Sequence, residues 1–118
     1  MKKSLSGLVT LMLMAAPAYA HTEMGMTEPA NGAVLDAVPD ALDLRFMAPA
    51  RLMKVEMIHS NGDTAHTVAI DIPTREMVES IRLVPDFMGA GAYDVQWRAL
   101  SVDGHVINDS FSFTVVGE

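Results

Sequence analysis

Asp103-Gly104-His105 sets a carboxylate oxygen and an imidazole nitrogen two residues apart, at the end of the run Trp97 to His105. The intervening glycine lets the backbone turn without a Cβ penalty, so both donors can be offered to one ion. Taken alone, the trio is first of all a tight turn. A second histidine, His21, changes that reading. It follows Ala18-Tyr19-Ala20, the small-residue pattern of a secretory cleavage site, so cleavage after Ala20 makes His21 the first residue of the mature chain.

A free N-terminal histidine offers its α-amine and its ring Nδ1 to the same ion, closing a chelate that an internal histidine cannot form. With the His105 imidazole the donor set becomes three nitrogens, and Asp103 adds an oxygen to complete a roughly square arrangement. That tetragonal nitrogen and oxygen set is the preference of Cu(II), which also stands at the top of the divalent affinity order. Zinc competes for the same donors but prefers a tetrahedron. The predicted metal site is therefore His21, Asp103 and His105 around one Cu(II) ion.

The segment ahead of His21 has Lys2 and Lys3, an apolar stretch from Leu5 to Ala16, and the small residues before the break. Its apolar core falls short of the roughly 20 residues that a membrane-spanning helix needs. Residues 1–20 are read as a cleaved signal peptide and residues 21–118 as one small domain, exported to the periplasm without stable membrane insertion after cleavage. Six basic residues then face fifteen acidic ones, a formal charge of −9, which argues against nucleic-acid binding. The chain has no cysteine. An exported domain without disulfides must rest on its apolar core, and any metal must be held by imidazole, carboxylate, thioether or backbone groups.

These donors need a scaffold, and the pattern after Thr22 is short alternating runs punctuated by proline, glycine, asparagine and aspartate. Met24 and Met26 alternate with polar neighbours, and Leu42, Leu44 and Phe46 form a half-buried strand that Pro49 closes. Met53, Val55 and Met57 give the next inward face. Ser60-Asn61-Gly62-Asp63 is a hairpin signal, with a return strand from Thr64 to Ile70. Thr74 to Glu79 reads as one helical turn with Met77 inward, and Ile81 and Leu83 mark a further strand. Tyr93, Val95, Trp97 and Ala99 share a core face that pairs with Phe111, Phe113 and Val115, leaving Ser101 to Asp109 as a connection at one end of the molecule. About seven short strands in under a hundred residues predict an all-β, immunoglobulin-like Greek-key sandwich.

The ordering of leader, N-terminal histidine, Glu28-Pro29-Ala30-Asn31-Gly32, the Leu42–Phe46 strand, Gly91-Ala92-Tyr93-Asp94-Val95-Gln96-Trp97-Arg98, Ser101, Asp103-Gly104-His105 and Phe111-Ser112-Phe113 resembles the CopC family. The resemblance covers nearly all of the mature chain. It implies a periplasmic copper-binding β-sandwich for copper resistance, sequestration or delivery, with the amine and ring of His21, Asp103 and His105 as the Cu(II) site. Copper itself and a copper-transporting inner-membrane protein are the partners such a carrier would meet. Some members carry a Cu(I) site in a methionine-rich loop. The matching stretch here, Met57 to His66, holds one methionine, so that site is expected to be absent.

The other candidates have plainer readings. Met53 and Met57 are assigned to the core, Met24 and Met26 to an auxiliary Cu(I) contact at most, and His59 and His66 to a solvated hairpin surface. Ser101 is placed to hydrogen-bond Asp103 or the turn backbone and fix the ligands' orientation. The competing function is a copper oxidase built on an N-terminal histidine brace, similar to the lytic polysaccharide monooxygenases. The carboxylate close to the ion and the lack of an aromatic substrate face favour a binding protein without turnover.

Overall fold

The computed structural model describes residues 24–117. Among these the chain forms seven strands and no helix: β1 (Met24–Glu28), β2 (Ala33–Leu35), β3 (Leu42–Asn61), β4 (Thr64–Ala69), β5 (Val78–Leu83), β6 (Gly91–Ser101) and β7 (Val106–Val115). The arrangement is a β-sandwich. One layer sets β1 and β5 beside the first half of β3; the other contains β4, the second half of β3, β6, β7 and β2. Neighbours pair antiparallel except β2, which runs parallel to β7. Among the described residues no helix is long and apolar enough to cross a membrane.

Strand β3 determines the layout because it serves both layers. Its twenty residues include Pro49, which has no N–H to donate, and pairing with β5 is interrupted between Arg45 and Ala50. Distances along the chain show that β3 folds over at this point. Glu28 sits opposite Asp43, while Ala33 sits opposite Phe113, which pairs with Tyr93, itself opposite His59. The five steps from Glu28 to Ala33 reach at most about 18 Å, and four strand spacings add about 19 Å. A straight strand would separate Asp43 from His59 by about 53 Å. Strand β3 therefore cannot run straight, and a fold-over at Pro49 turns its two ends toward one pole and its bend toward the other.

The core lies between the layers. Leu42, Leu44, Phe46, Val55, Met57, Val95 and Phe111 are buried there, and each such side chain contributes about 1.5–3 kcal/mol when removed from water. The Trp97 ring meets Phe46 edge-on at 5.7 Å, joining β6 to the opposite layer. Tyr93 stacks on Phe113 at 4.9 Å, as the predicted pairing of their strands requires.

Five local expectations are corrected. Pro49 does not close a strand but marks the bend within one. Met53 is 42% exposed, because Leu52 faces Ala99 and Lys54 faces Arg98, so two residues of β3 occupy one step of β6 and Leu52 takes the inward place. Residues 74–79 form no helix: the Glu76 N–H donates to Thr74 Oγ1 at 3.2 Å, Met77 is exposed and β5 starts at Val78. The connection after Ser101 is shorter than expected, since β7 begins at Val106 and Asp109 lies within it. His59 is buried, not solvated. It shares the inward face of β3 with Met57, packs on Tyr93 at 4.7 Å, and its Nε2 lies 2.7 Å from the Ala90 carbonyl. Its cross-strand partner His66, on the outer strand β4, is exposed.

Candidate metal centre

Strand β6 ends at Ser101 and β7 starts at Val106, with Leu100 and Val106 as the last cross-strand pair. The turn between them is closed by two backbone bonds. Ser101 N–H donates to the His105 carbonyl at 2.8 Å, and Gly104 N–H donates to the Ser101 carbonyl at 3.0 Å. Gly104 has φ of +91°, a left-handed conformation that glycine adopts without the steric penalty other residues meet.

Within this turn the buried Ser101 hydroxyl donates to Asp103 Oδ1 and accepts the His105 N–H at 3.2 Å. Asp103 Oδ1 lies 3.3 Å from the same N–H and 3.1 Å from His105 Nδ1. The Ser101 hydroxyl, and after it the His105 backbone N–H, hold the Asp103 carboxyl below its ordinary pKa. Both functional side chains face water, His105 at 79% and Asp103 at 64% exposure. An anionic oxygen and an imidazole nitrogen thus stand side by side on a rigid turn, open to an incoming ion.

Of the three residues the sequence nominates, two are brought together; His21 lies outside the described residues. Among the described residues no three histidine, aspartate or glutamate side chains converge as a metal cluster, so the pair needs donors from elsewhere to hold an ion tightly. His59 and His66 take no part: their hairpin is at the opposite pole, where His59 holds the Ala90 carbonyl. Met26 is 60% exposed on β1, and the pairing with β3 shifts register between Met24 and Met26, so the rule that residues two apart share a face does not carry across them.

The start of β1 points toward the metal turn. Thr27 lies opposite Leu44 and Met24 opposite Phe46, so stepping back along β1 moves toward the bend of β3. At that bend Ala50 pairs with Ser101. A groove between β1 and β7 is lined by Gly25, Met26, Thr27, Ser110 and Phe111, while Asn31 and Gly32 bond to Ser112 at 2.9 and 2.7 Å. Lower numbers on β1 thus accompany lower numbers on β7, whose start is next to His105.

Comparison with known proteins agrees with this architecture. A sequence model of the CopC domain matches residues 24–116. The copper resistance protein C of Escherichia coli is 33% identical over 118 residues, covering 92% of this chain and 90% of its own length. The crystal structure of PcoC, described as a methionine-rich copper resistance protein from Escherichia coli, superposes with a TM-score of 0.62 at 26% identity, over 80% of this chain and 98% of that one. CopC from Methylosinus trichosporium OB3b shares the fold, with a TM-score of 0.63 at 22% identity over 83% of this chain and 96% of that one. With its seven-stranded sandwich and a family match spanning nearly every described residue, the chain belongs to the CopC family.

Proposed function

We propose that the protein is exported, cut after Ala20, and binds one Cu(II) ion in the periplasm through the amine and ring of His21 together with Asp103 and His105. It serves copper resistance by sequestering the ion or delivering it, and it is a carrier, not an enzyme. The observation that carries the reading is the 3.1 Å approach of His105 Nδ1 to Asp103 Oδ1 on an exposed turn. Two adjacent ligands on an ion with bonds of about 2.0 Å lie about 2.8 Å apart. An ion can therefore replace the shared proton with little movement of either group.

The course of β1 supports the remaining donors. Gly25 lines one groove with Ser110 and Phe111, and β1 runs in the same direction as β7. Four extended residues before Gly25 would span about 13 Å, against about 17 Å for the five steps from Ser110 back to His105, so a chain end that continued along β1 would come close to the start of β7. The printed names of the relatives, copper resistance protein C and PcoC, point to the same ion. High exposure of His105 and Asp103 also suits transfer to a copper-transporting inner-membrane protein, which would approach this pole.

The test is a Cu(II) titration of the protein beginning at His21, beside a version with one alanine added before it. The added residue turns the chelating amine into an amide. Losing a direct ligand should weaken binding by more than the roughly 10–100-fold typical of residues that only orient a ligand. Equal affinity in the two forms would remove His21 from the site.

A further inference from the structure

The ladder along β3 has a gap on one side. Ala50 pairs with Ser101 of β6 and Val78 of β5, and Glu56 pairs with Gln96 of β6 and Ala69 of β4. Strands β4 and β5 therefore flank the same edge of β3, the one away from β6. Between them, past the bond from Ile70 N–H to the Val55 carbonyl at 2.9 Å, Arg51 to Lys54 have no strand partner on that edge among the described residues. Asp71, Ile72 and Arg75 border the gap and leave an open cavity of about 650 Å³, within the range of ligand sites. Part of its lining is apolar, with Leu52, Val55 and Ile70 buried. The rest is mainly basic. In a chain with fifteen acidic and eight basic residues, Arg51, Lys54 and Arg75 meet here against one acid, Asp71. Lys54 reaches Glu56 at 3.7 Å, whereas neither Arg51 nor Arg75 has an ion pair among the described residues.

From this combination we propose that the gap docks an acidic, extended segment of a partner protein, which adds to β3 as a short strand. Four residues of strand span about 13 Å, room for a segment of four or five residues. Backbone pairing to an open edge supplies affinity, and side chains supply the choice of partner. Alternate side chains of an added strand point to the same face. Carboxylates at every second position can then meet Arg51, Lys54 and Arg75 while apolar residues between them cover Leu52 and Ile70. Charge also selects. Cationic side chains and the bulge at Met53 guard this edge against neutral or basic strands, and an acidic strand turns that repulsion into attraction. The gap adjoins the metal turn, since Leu100, the residue before Ser101, lines the same cavity. A partner seated there would stand near Asp103 and His105. The docking needs no metal; that the docked partner exchanges copper rests on the function proposed above.

The test is an NMR titration of the metal-free protein beginning at His21 with an acetylated, amidated Glu-Val-Glu-Val-Glu peptide. At low salt the peptide should bind with a dissociation constant below about 1 mM and shift the amides of Arg51 to Val55 and Ala69 to Arg75. Added salt should weaken it. Arg75→Gln should weaken binding about two- to fivefold, the range of one exposed ion pair. The double charge reversal, Arg51→Glu with Arg75→Glu, should weaken it at least about tenfold. That reversed protein should instead gain affinity for a Lys-Val-Lys-Val-Lys peptide, a gain that misfolding cannot produce. Equal binding of Gln-Val-Gln-Val-Gln, or shifts that miss the gap, would overturn the proposal. Equal shifts from free glutamate would also overturn it, by making the gap a small-anion site. So would a dimer of the parent protein that the charge reversal dissolves, because the occupant would then be a second copy. Peptide binding without Cu(II) binding would refute the metal site and support the dock; Cu(II) binding without peptide binding would refute the dock and leave the metal site standing.

Discussion

Replacing Gly104 with alanine tests whether the turn itself sets the metal geometry. A Cβ at this position meets no heavy atom within 4 Å, so the effect is confined to the backbone. Holding an L-residue at φ of +91° costs about 1–2 kcal/mol. Two outcomes share this energy. If the Ser101–Gly104 and Ser101–His105 backbone bonds hold, the strain lowers global stability, and melting falls by about 4–16 °C for a domain of this size. If the exposed turn relaxes instead, stability is nearly kept, but His105 leaves its place 3.1 Å from Asp103. Copper must then restore the strained turn, and affinity falls by up to about 30-fold, the equivalent of 2 kcal/mol. Circular dichroism melting and a competitive Cu(II) titration on the same preparations read the two effects. Unchanged melting together with unchanged affinity would show that this turn is not the ligand platform.

Ser101→Ala removes the hydroxyl that is the largest influence on Asp103. The carboxyl pKa, read by NMR, should rise toward the ordinary aspartate value of about 3.9. A group whose pKa is depressed in the folded state stabilises that state above the unfolded value, and this contribution is lost as pH falls through the folded one. The parent protein should accordingly hold its turn to lower pH than Ser101→Ala does; identical acid profiles would contradict that. At the opposite pole, Gly91→Ala would place a Cβ 2.5 Å from both His59 Nε2 and the Ser60 carbonyl oxygen, at φ of +138°. Overpacking and backbone strain together should cost at least about 2 kcal/mol and lower melting by at least about 8 °C. Below that melting point copper affinity should not change, and a large loss would mean that the two poles are coupled.

The β-sandwich was legible because alternation is a local property. Tyr93, Val95 and Ala99 face inward on β6, Phe111 and Phe113 on β7, and the register joins Tyr93 to Phe113 and Val95 to Phe111. The Asp-Gly-His turn was legible for the same reason, since all its hydrogen bonds lie within five residues. What escaped the sequence depends on two strands at once. A bulge at Met53 exists only relative to β6, and no single-strand pattern reveals which residue will be displaced. His59 looked like a surface histidine of a polar hairpin until Tyr93 and Ala90 covered it. Asp109 did leave a local signal, as an acid in phase with Ile107 and Phe111, but assigning it to a loop removed the strand phase that would have exposed it.

The bend of β3 ties these observations to function. A straight strand would leave the start of β1 and the end of β6 in unrelated places, whereas the fold-over at Pro49 brings both to one pole. The two halves of the donor set then differ in kind. Asp103 and His105 are fixed by the turn's own hydrogen bonds and need little ordering when an ion arrives. A free chain end is different: ordering the three residues from His21 to Glu23 would oppose binding by about 3–6 kcal/mol. Any contact that ordered this segment beforehand would transfer that opposition from the binding step to folding.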